Sequence, residues 1–273
     1  MTTPSVNPNK ALWEKGDFTR IADTMRESGD EFAASLGIAD GMRILEVGGG
    51  DGTTAVPEAQ RGADVLVVDI SSPLVAAGNA RADALGLTNL RFQEGDASDL
   101  RDLEDNSFDL VVSIFGAMFA PRPLDVAKEL VRVCKPGGRI VMGNWIPGDP
   151  TLVAQLLRIS SAYSPPPPEG FVSPMTWGVE SDVIERFTAA GVRKDQISFE
   201  RPTWMFHHSG TPSDFLADFR DYYGPTMNAY AAAAADGRET ELHAELDALF
   251  NEKNESSDGT AIPATYLRVT VSV

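Results

Sequence analysis

Residues 43 to 53 read Arg-Ile-Leu-Glu-Val-Gly-Gly-Gly-Asp-Gly-Thr. The apolar run Ile44 to Val47 ends in glycines at 48, 49, 50 and 52, and a helical pattern starts at about Thr53. A buried strand, a tight turn and a helix start, in that order, bring backbone N–H groups against a ligand. Glycine serves such a turn twice: some positions need φ > 0, and at others a side chain would block the ligand. A glycine-rich turn without a ligand is the plain alternative for these residues taken alone.

Downstream of this stretch the same order repeats. Val65 to Val68 form a β-branched run closed by Asp69, and Ser72-Pro73 read as N-cap and first position of a helix reaching Leu85. Leu90 to Gln93 make a short third strand running into Glu94-Gly95-Asp96-Ala97. Phe108 to Phe115 are continuously apolar except for Asp109 and Ser113, as a strand covered on both faces should be. Val126, Leu130 and Val133, beside Ala127, Val131 and Cys134, predict a helix stopped by Lys135-Pro136-Gly137-Gly138, and Arg139 to Trp145 predict strand five. Strands alternating with helices at such short spacing mean right-handed parallel βαβ units.

Regular patterning lapses from Ile146 to Gly178, around the prolines at 165 to 168, and returns as a helix over Val179 to Ala190. Gln196 to Phe206 read as strand six. Helical signals cover Phe215 to Tyr223, 227 to 235 and Thr240 to Asn251, and Tyr266 to Val273 alternate as a last strand. The expected fold is α/β: a Rossmann-like, seven-stranded, mostly parallel sheet with helices on both faces, an antiparallel last strand and helical cap insertions. It forms one domain, with a helical cap over 1–40, a ligand-binding core over 41–145, and insertions at 146–178 and 207–263. The insertions leave the sheet at the edge where parallel strands end and ligands bind, so they are expected to roof the pocket. At the other end, Phe18, Ile21, Met25, Phe32 and Leu36 share one helical face that packs on the core, and residues 11 to 18 are placed to close over a pocket.

Forty acidic residues against 23 Lys and Arg give a formal charge of −17, which repels phosphate backbones and disfavours nucleic acid as a substrate. A neutral or cationic ligand suits that balance. The single cysteine, Cys134, lies in an apolar helical pattern and reads as a buried structural thiol. No span approaches the roughly 18 apolar residues of a membrane helix, and the start is polar, so a cytoplasmic protein without a membrane partner is expected. A metal site is not expected without a His and carboxylate cluster.

Residues 41 to 145 resemble the class I S-adenosylmethionine-dependent methyltransferases, in their small-molecule branch. Glu46-Val47-Gly48-Gly49-Gly50-Asp51-Gly52 fits that family's acidic-x-Gly-x-Gly-x-Gly motif. The resemblance implies that Glu46, Gly48, Gly49, Gly50 and Gly52 hold the methionine half of S-adenosylmethionine. It further implies that Asp69, with Ile70 beside it, takes the ribose hydroxyls, that Asp96-Ala97 read the adenine, and that Phe115-Gly116 face the reacting atoms. The chemistry is compatible: a strand-end carboxylate accepts two hydrogen bonds from a diol and repels a 2′-phosphate. A nicotinamide dinucleotide would want its third glycine, or an alanine, at position 53, where this chain has Thr53. A nicotinamide-dependent oxidoreductase is therefore the weaker alternative, and a non-catalytic module that binds the same cofactor is the other.

Methyl transfer to a small-molecule acceptor is an in-line displacement, to which a general base can contribute. His207 and His208, just past strand six, are the candidates for that base, with His207 the first choice; Asp149, Tyr222, Tyr223 and Tyr230 rank below them. Met118, Phe119 and Trp145 are expected beside the cofactor. Phe171, Trp177, Trp204 and Phe206 in the roof predict a hydrophobic or aromatic acceptor.

Overall fold

A computed structural model describes Asn7 and residues 9–273 of the chain. Three helices come first, α1 (Lys10–Trp13), α2 (Phe18–Asp23) and α3 (Arg26–Ser35). The core follows as β1 (Arg43–Val47), α4 (Ala55–Gln60), β2 (Asp64–Asp69), α5 (Ser72–Ala84), β3 (Leu90–Glu94), β4 (Phe108–Ile114), α6 (Pro123–Val133) and β5 (Cys134–Trp145). The remainder is α7 (Leu152–Ala162), α8 (Glu180–Ala189), β6 (Ile197–Glu200), β7 (Thr203–His208), α9 (Pro212–Tyr222), α10 (Gly224–Ala235), α11 (Glu239–Lys253) and β8 (Thr260–Ser272).

The strands form one sheet in the order β3-β2-β1-β4-β5-β8-β6, with β7 paired to β8 beyond the end of β5. β1 to β5 are parallel, and β8 runs antiparallel to β5 and β6. Ile44, Leu45 and Val47 of β1 and Val111 and Val112 of β4 are wholly enclosed, as strands covered on both faces require. The chain winds outward from β1 through β2 to β3, then returns to the other side of β1 as β4 and β5. The order reverses between β1 and β4, and a crevice opens there at the carboxyl ends of the strands.

Two glycines make that crevice. Gly48, at φ +68°, and Gly116 meet where the tips of β1 and β4 separate, and a Cβ on Gly116 would lie 2.2 Å from the Gly48 carbonyl oxygen. Any larger residue at either place would push the two tips apart.

Several elements differ from the sequence reading. Arg201-Pro202 break the sixth strand into β6 and β7, because proline has no N–H to continue the ladder. Residues 146 to 178 are not irregular throughout: Leu152, Val153, Leu156 and Ile159 form the buried face of α7. The proline run that follows masked this periodicity. Ser71, not Ser72, is the N-cap of α5, and β8 begins six residues earlier than expected, at Thr260. Asp109 sits at the open start of β4, where it accepts from the Arg43 N–H and pairs with Lys135 at 2.6 Å. Cys134 is fully enclosed, and burial pushes its thiol up to about 11, so it is inert. No described helix is long and apolar enough to cross a membrane.

Candidate functional site

Four strand tips form the floor of a cavity with about 900 Å³ of space between atoms, its open mouth included. Glu46, Gly48, Gly49 and Gly50 line it from β1 and the turn beyond, Asp69 and Ile70 from β2, Asp96 and Ala97 from beyond β3, and Phe115 from beyond β4. Gly52, expected among them, does not line it. At φ +89° it turns the loop beneath Phe92, whose ring would stand 2.9 Å from an added Cβ, so its part is in shaping the loop.

Each acid is held differently. Asp69 is buried, and its carboxylate accepts from the Gly50 N–H and the Ser71 N–H, both at 2.9 Å. Burial raises its pKa, and those N–H groups oppose the rise. Each oxygen keeps a free lone pair for a ligand donor. Asp96 closes a turn on Ser98, while its other oxygen takes the Asn7 carboxamide at 3.0 Å. Glu46 is enclosed between Val67 and Val112, its register neighbours on β2 and β4. One of its oxygens accepts from the Thr54 hydroxyl and the other, Oε2, has no partner. Burial drives its pKa up to about 8, and the nearby Asp69 and Asp51 add to the rise.

The glycine loop is braced from outside. Arg26 binds Asp51 at 2.9 Å and Thr53 at 2.6 Å, and Arg81 donates to the carbonyl oxygens of Asp51 and Gly52. Neither arginine lines the cavity, and no Lys, Arg or His does so among the described residues. A phosphate-bearing ligand would meet four acids and no cation. A sulfonium with an ammonium group matches the charge, and the open oxygen of Glu46 is a fully buried acceptor awaiting a donor.

The other half of the cavity is apolar. Trp13, Phe18, Met25, Ile114, Phe119 and Trp204 line it. Trp13 stands edge-on to Phe119 at 4.8 Å and to Phe18 at 5.8 Å, with Tyr223 behind at 6.0 Å. Below them Phe115 adopts φ +59°, rare for a residue with a side chain, and its ring stacks on Trp145 at 3.6 Å. The N-terminal segment is tied down by polar bonds: Asn9 donates to the Phe119 carbonyl, Ser71 to the Trp13 carbonyl, and Lys10 pairs with Glu94.

The roof is therefore not where the insertions were expected to put it. Neither 146–178 nor 207–263 contributes a lining residue among those described. The segments pack instead behind the lid, as where α9 meets α2 and Tyr223 touches Trp13. Trp177 and Phe206 are core residues, Phe171 is exposed, and Met118 and Trp145 are buried behind the cavity wall.

His207 is also misplaced by the sequence reading. Its partner on β8 is Ala261, five residues beyond the Tyr266 that pairs with Trp145, so it lies about 16 Å past the end of β5. It also points away from the face that Trp204 and Phe206 bury, and its ring pairs with Glu27 at 3.1 Å in solvent. His208 is engaged by the Gly210 N–H and Asp218, and His243 by Tyr230, so none of the three histidines reaches the cavity.

A family profile described as a methyltransferase domain matches residues 45–142, the floor just described. The uncharacterized protein Rv1403c of Mycobacterium tuberculosis is 34% identical over 248 residues, 89% of this chain and 86% of that one. The chain belongs to the class I S-adenosylmethionine-dependent methyltransferases. Its cofactor is S-adenosylmethionine. The methyltransferase is also similar to the demethylmenaquinone methyltransferase of Renibacterium salmoninarum, 35% identical over 111 residues, 41% of this chain and 44% of that one. Among solved structures it resembles a phosphoethanolamine N-methyltransferase of Haemonchus contortus in complex with phosphomonomethylethanolamine and S-adenosylhomocysteine. That likeness has a TM-score of 0.56 at 19% identity, covering 90% of this chain and 52% of that one, and it concerns the fold.

Sequence reasoning passed over several residues of this methyltransferase's site. Met25 was assigned to core packing, yet it lines the cavity; Trp13 and Phe18, from the stretch expected to close over a pocket, line it too. Asn7 and Asn9 carry no periodic signal and read as ordinary polar residues. Glu58, among Ala55, Val56 and Ala59, drew no reading, because only the packing shows that its helix is buried almost all round.

Proposed function

We propose that this methyltransferase transfers its methyl group to a small hydrophobic or aromatic acceptor by in-line displacement. Glu46, Gly48, Gly49 and Gly50 would hold the amino-acid end of the cofactor, Asp69 and Ile70 the ribose, and Asp96 and Ala97 the adenine. When bound, the cofactor supplies an electrophilic methyl group. The chain's own residues do the rest by holding the acceptor in line and excluding water, and such positioning is worth about 7–11 kcal/mol. The observation that carries the acceptor class is the apolar half of the cavity: four aromatic rings with Met25 and Ile114, and no cation.

None of those six side chains titrates. With His207 out of reach, the acceptor's own acidity sets the loss of its proton, which favours a phenol, a quinol, a thiol or an activated carbon over an alcohol. The similarity to a demethylmenaquinone methyltransferase across the core supports a ring acceptor of this kind. The charge of −17 supports a small molecule over nucleic acid.

The test has two parts. Calorimetry with S-adenosylhomocysteine should give saturable binding. Formation of that product from S-adenosylmethionine should then be faster with naphthols, hydroquinones and thiophenols than with phosphorylated amines or oligonucleotides. A polyphosphate or nucleic acid as best acceptor overturns the acceptor class.

A further inference from the structure

Behind the glycine loop the structure holds a second buried carboxylate that the proposed chemistry does not use. Glu58 lies on α4 with no exposed surface, and neither of its oxygens has a hydrogen-bond partner. It stands one turn after Thr54, and residues four apart share a helix face. Thr54 is the residue whose hydroxyl holds Glu46, and the Glu58 N–H donates to the Thr54 carbonyl at 3.0 Å, so Glu58 stands one turn along the face of α4 that meets Glu46. Burial raises the pKa of Glu58 well above its ordinary value, and the charge of Glu46 adds to the rise. Two ionised carboxylates cannot share such a place, where the register neighbours of Glu46 are valines and the loop above it is glycine. One proton eases the conflict, because it leaves the pair a single negative charge.

We propose that Glu46 and Glu58 hold one proton between them in the ligand-free enzyme and release it to solvent when a cationic ligand group engages Glu46. Glu58 is then a positioning residue that acts through Glu46. The inference rests on the cofactor reading given above, since the cation is the ammonium group of the bound cofactor.

The surroundings leave these two as the responsive groups. Toward Glu46 face the Thr54 hydroxyl of α4, Asp69 at the tip of β2 and Asp51 of the loop. Asp69 is already fixed by two N–H groups, and Asp51 by Arg26 from α3. Toward Glu58 faces Arg61 on its own helix, but that guanidinium is spent on Asp30 of α3 and the Pro57 carbonyl oxygen. Arg81 of α5 is spent on loop carbonyl oxygens. A cation arriving at Glu46 is thus the uncompensated charge that can displace the proton.

Isothermal calorimetry of the full chain with S-adenosylhomocysteine tests this, run in two buffers of different ionisation enthalpy between about pH 6 and about pH 8. The wild type should release up to about one proton per ligand, and its affinity should tighten by up to about tenfold per pH unit across the lower part of that range. In Glu58→Gln position 58 stays polar but no longer titrates. Release should then fall toward zero and the affinity should become nearly independent of pH. A wild type that binds without proton release, or a Glu58→Gln variant with an unchanged pH slope, overturns the proposal. No heat from S-adenosylhomocysteine at any pH overturns the cofactor reading instead and takes this inference with it. Infrared difference spectra on the wild type give a readout independent of the variant's folding: a protonated-carboxyl band should disappear when the ligand is added, and a band that persists counts against the shared proton.

Discussion

The two halves of the cavity are built by opposite means. The floor comes from strand tips whose positions are set by ladder hydrogen bonds, and its working groups are carboxylates and backbone N–H groups pinned within an enclosed sheet. The lid comes from three short helices and their connections, held by ring contacts and a few polar bonds across the mouth. A floor of that kind suits a ligand shared by every turnover. A lid of that kind can be repacked without disturbing the sheet, which is what acceptor selection needs. The comparison makes a definite demand: floor substitutions should change cofactor affinity, and lid substitutions should change acceptor use.

Asp69→Ala gives the strongest test. It removes a charged acceptor for the ligand and also leaves the Gly50 and Ser71 N–H groups unpaired, so S-adenosylhomocysteine should bind about 100-fold more weakly. Calorimetry reads this directly, and an affinity within threefold of the wild type would remove Asp69 from the cofactor site.

The floor should also reveal itself in stability without any ligand. Burial places the pKa of Glu46 at about 8 against an ordinary 4.5, and that of Glu58 well above its ordinary value. The folded state therefore holds the pair's shared proton at pH values where the unfolded chain has given it up. Stability should be fully present below the unfolded pKa and fall as pH rises from about 4.5 through about 8, by up to roughly 5 kcal/mol. Melting temperatures of the ligand-free protein should drop over that interval, and Glu58→Gln should flatten the curve. A melting point that climbs steadily through neutral pH contradicts the buried pair.

On the lid side, Phe119→Ala removes one wall of the apolar half and the edge contact with Trp13. The KM for an aromatic acceptor should rise about fivefold to tenfold, in line with the ~0.5–1.5 kcal/mol of an aromatic pair. Affinity for S-adenosylhomocysteine should stay within twofold. Equal losses in both would mean that the halves are not separable.

The same contrast explains what could be read from the sequence. The floor was legible because each of its groups sits at a strand end, and strands announce themselves by apolar runs; Glu46, Asp69 and Asp96 each follow or close one. The lid was legible only in part: residues 11 to 18 and Phe119 were expected at the pocket, but the rest of its lining follows from how helices 10 to 35 fold back over the sheet, and that long-range packing leaves only a generic helical face in Ile21 and Met25. The insertions were expected at the mouth because they leave from the ligand edge. They do leave there, yet α9 to α11 find their partners in one another, in α7 and in the back of α2, and the nearer N-terminal helices take the mouth. Glu58 was hidden for a different reason: a carboxylate in a helix reads as solvated unless the helix is known to be enclosed.

The smallest effect separates the two halves from everything outside them. His207 follows a strand and is one of only three histidines in the chain, which made it the first choice for a base. Its place on β8 is opposite Ala261, well past the cavity, and the break at Pro202 is what carries β7 that far, by letting it run alongside the front of β8 instead of ending with β5. What His207 has is an exposed pair with Glu27, and pairs in solvent contribute about 0–1 kcal/mol. Its backbone N–H, which donates to the Thr24 carbonyl at 2.8 Å, survives any side-chain change. His207→Ala should therefore leave kcat and KM within about twofold and shift stability by less than about 0.5 kcal/mol. The pH profile of methyl transfer should move with the acidity of the acceptor, compared across phenols of different pKa, and stay where it is in the variant. A profile that loses an acidic limb in His207→Ala would place a base beside the acceptor and would require the lid to carry β7 inward when the enzyme is loaded.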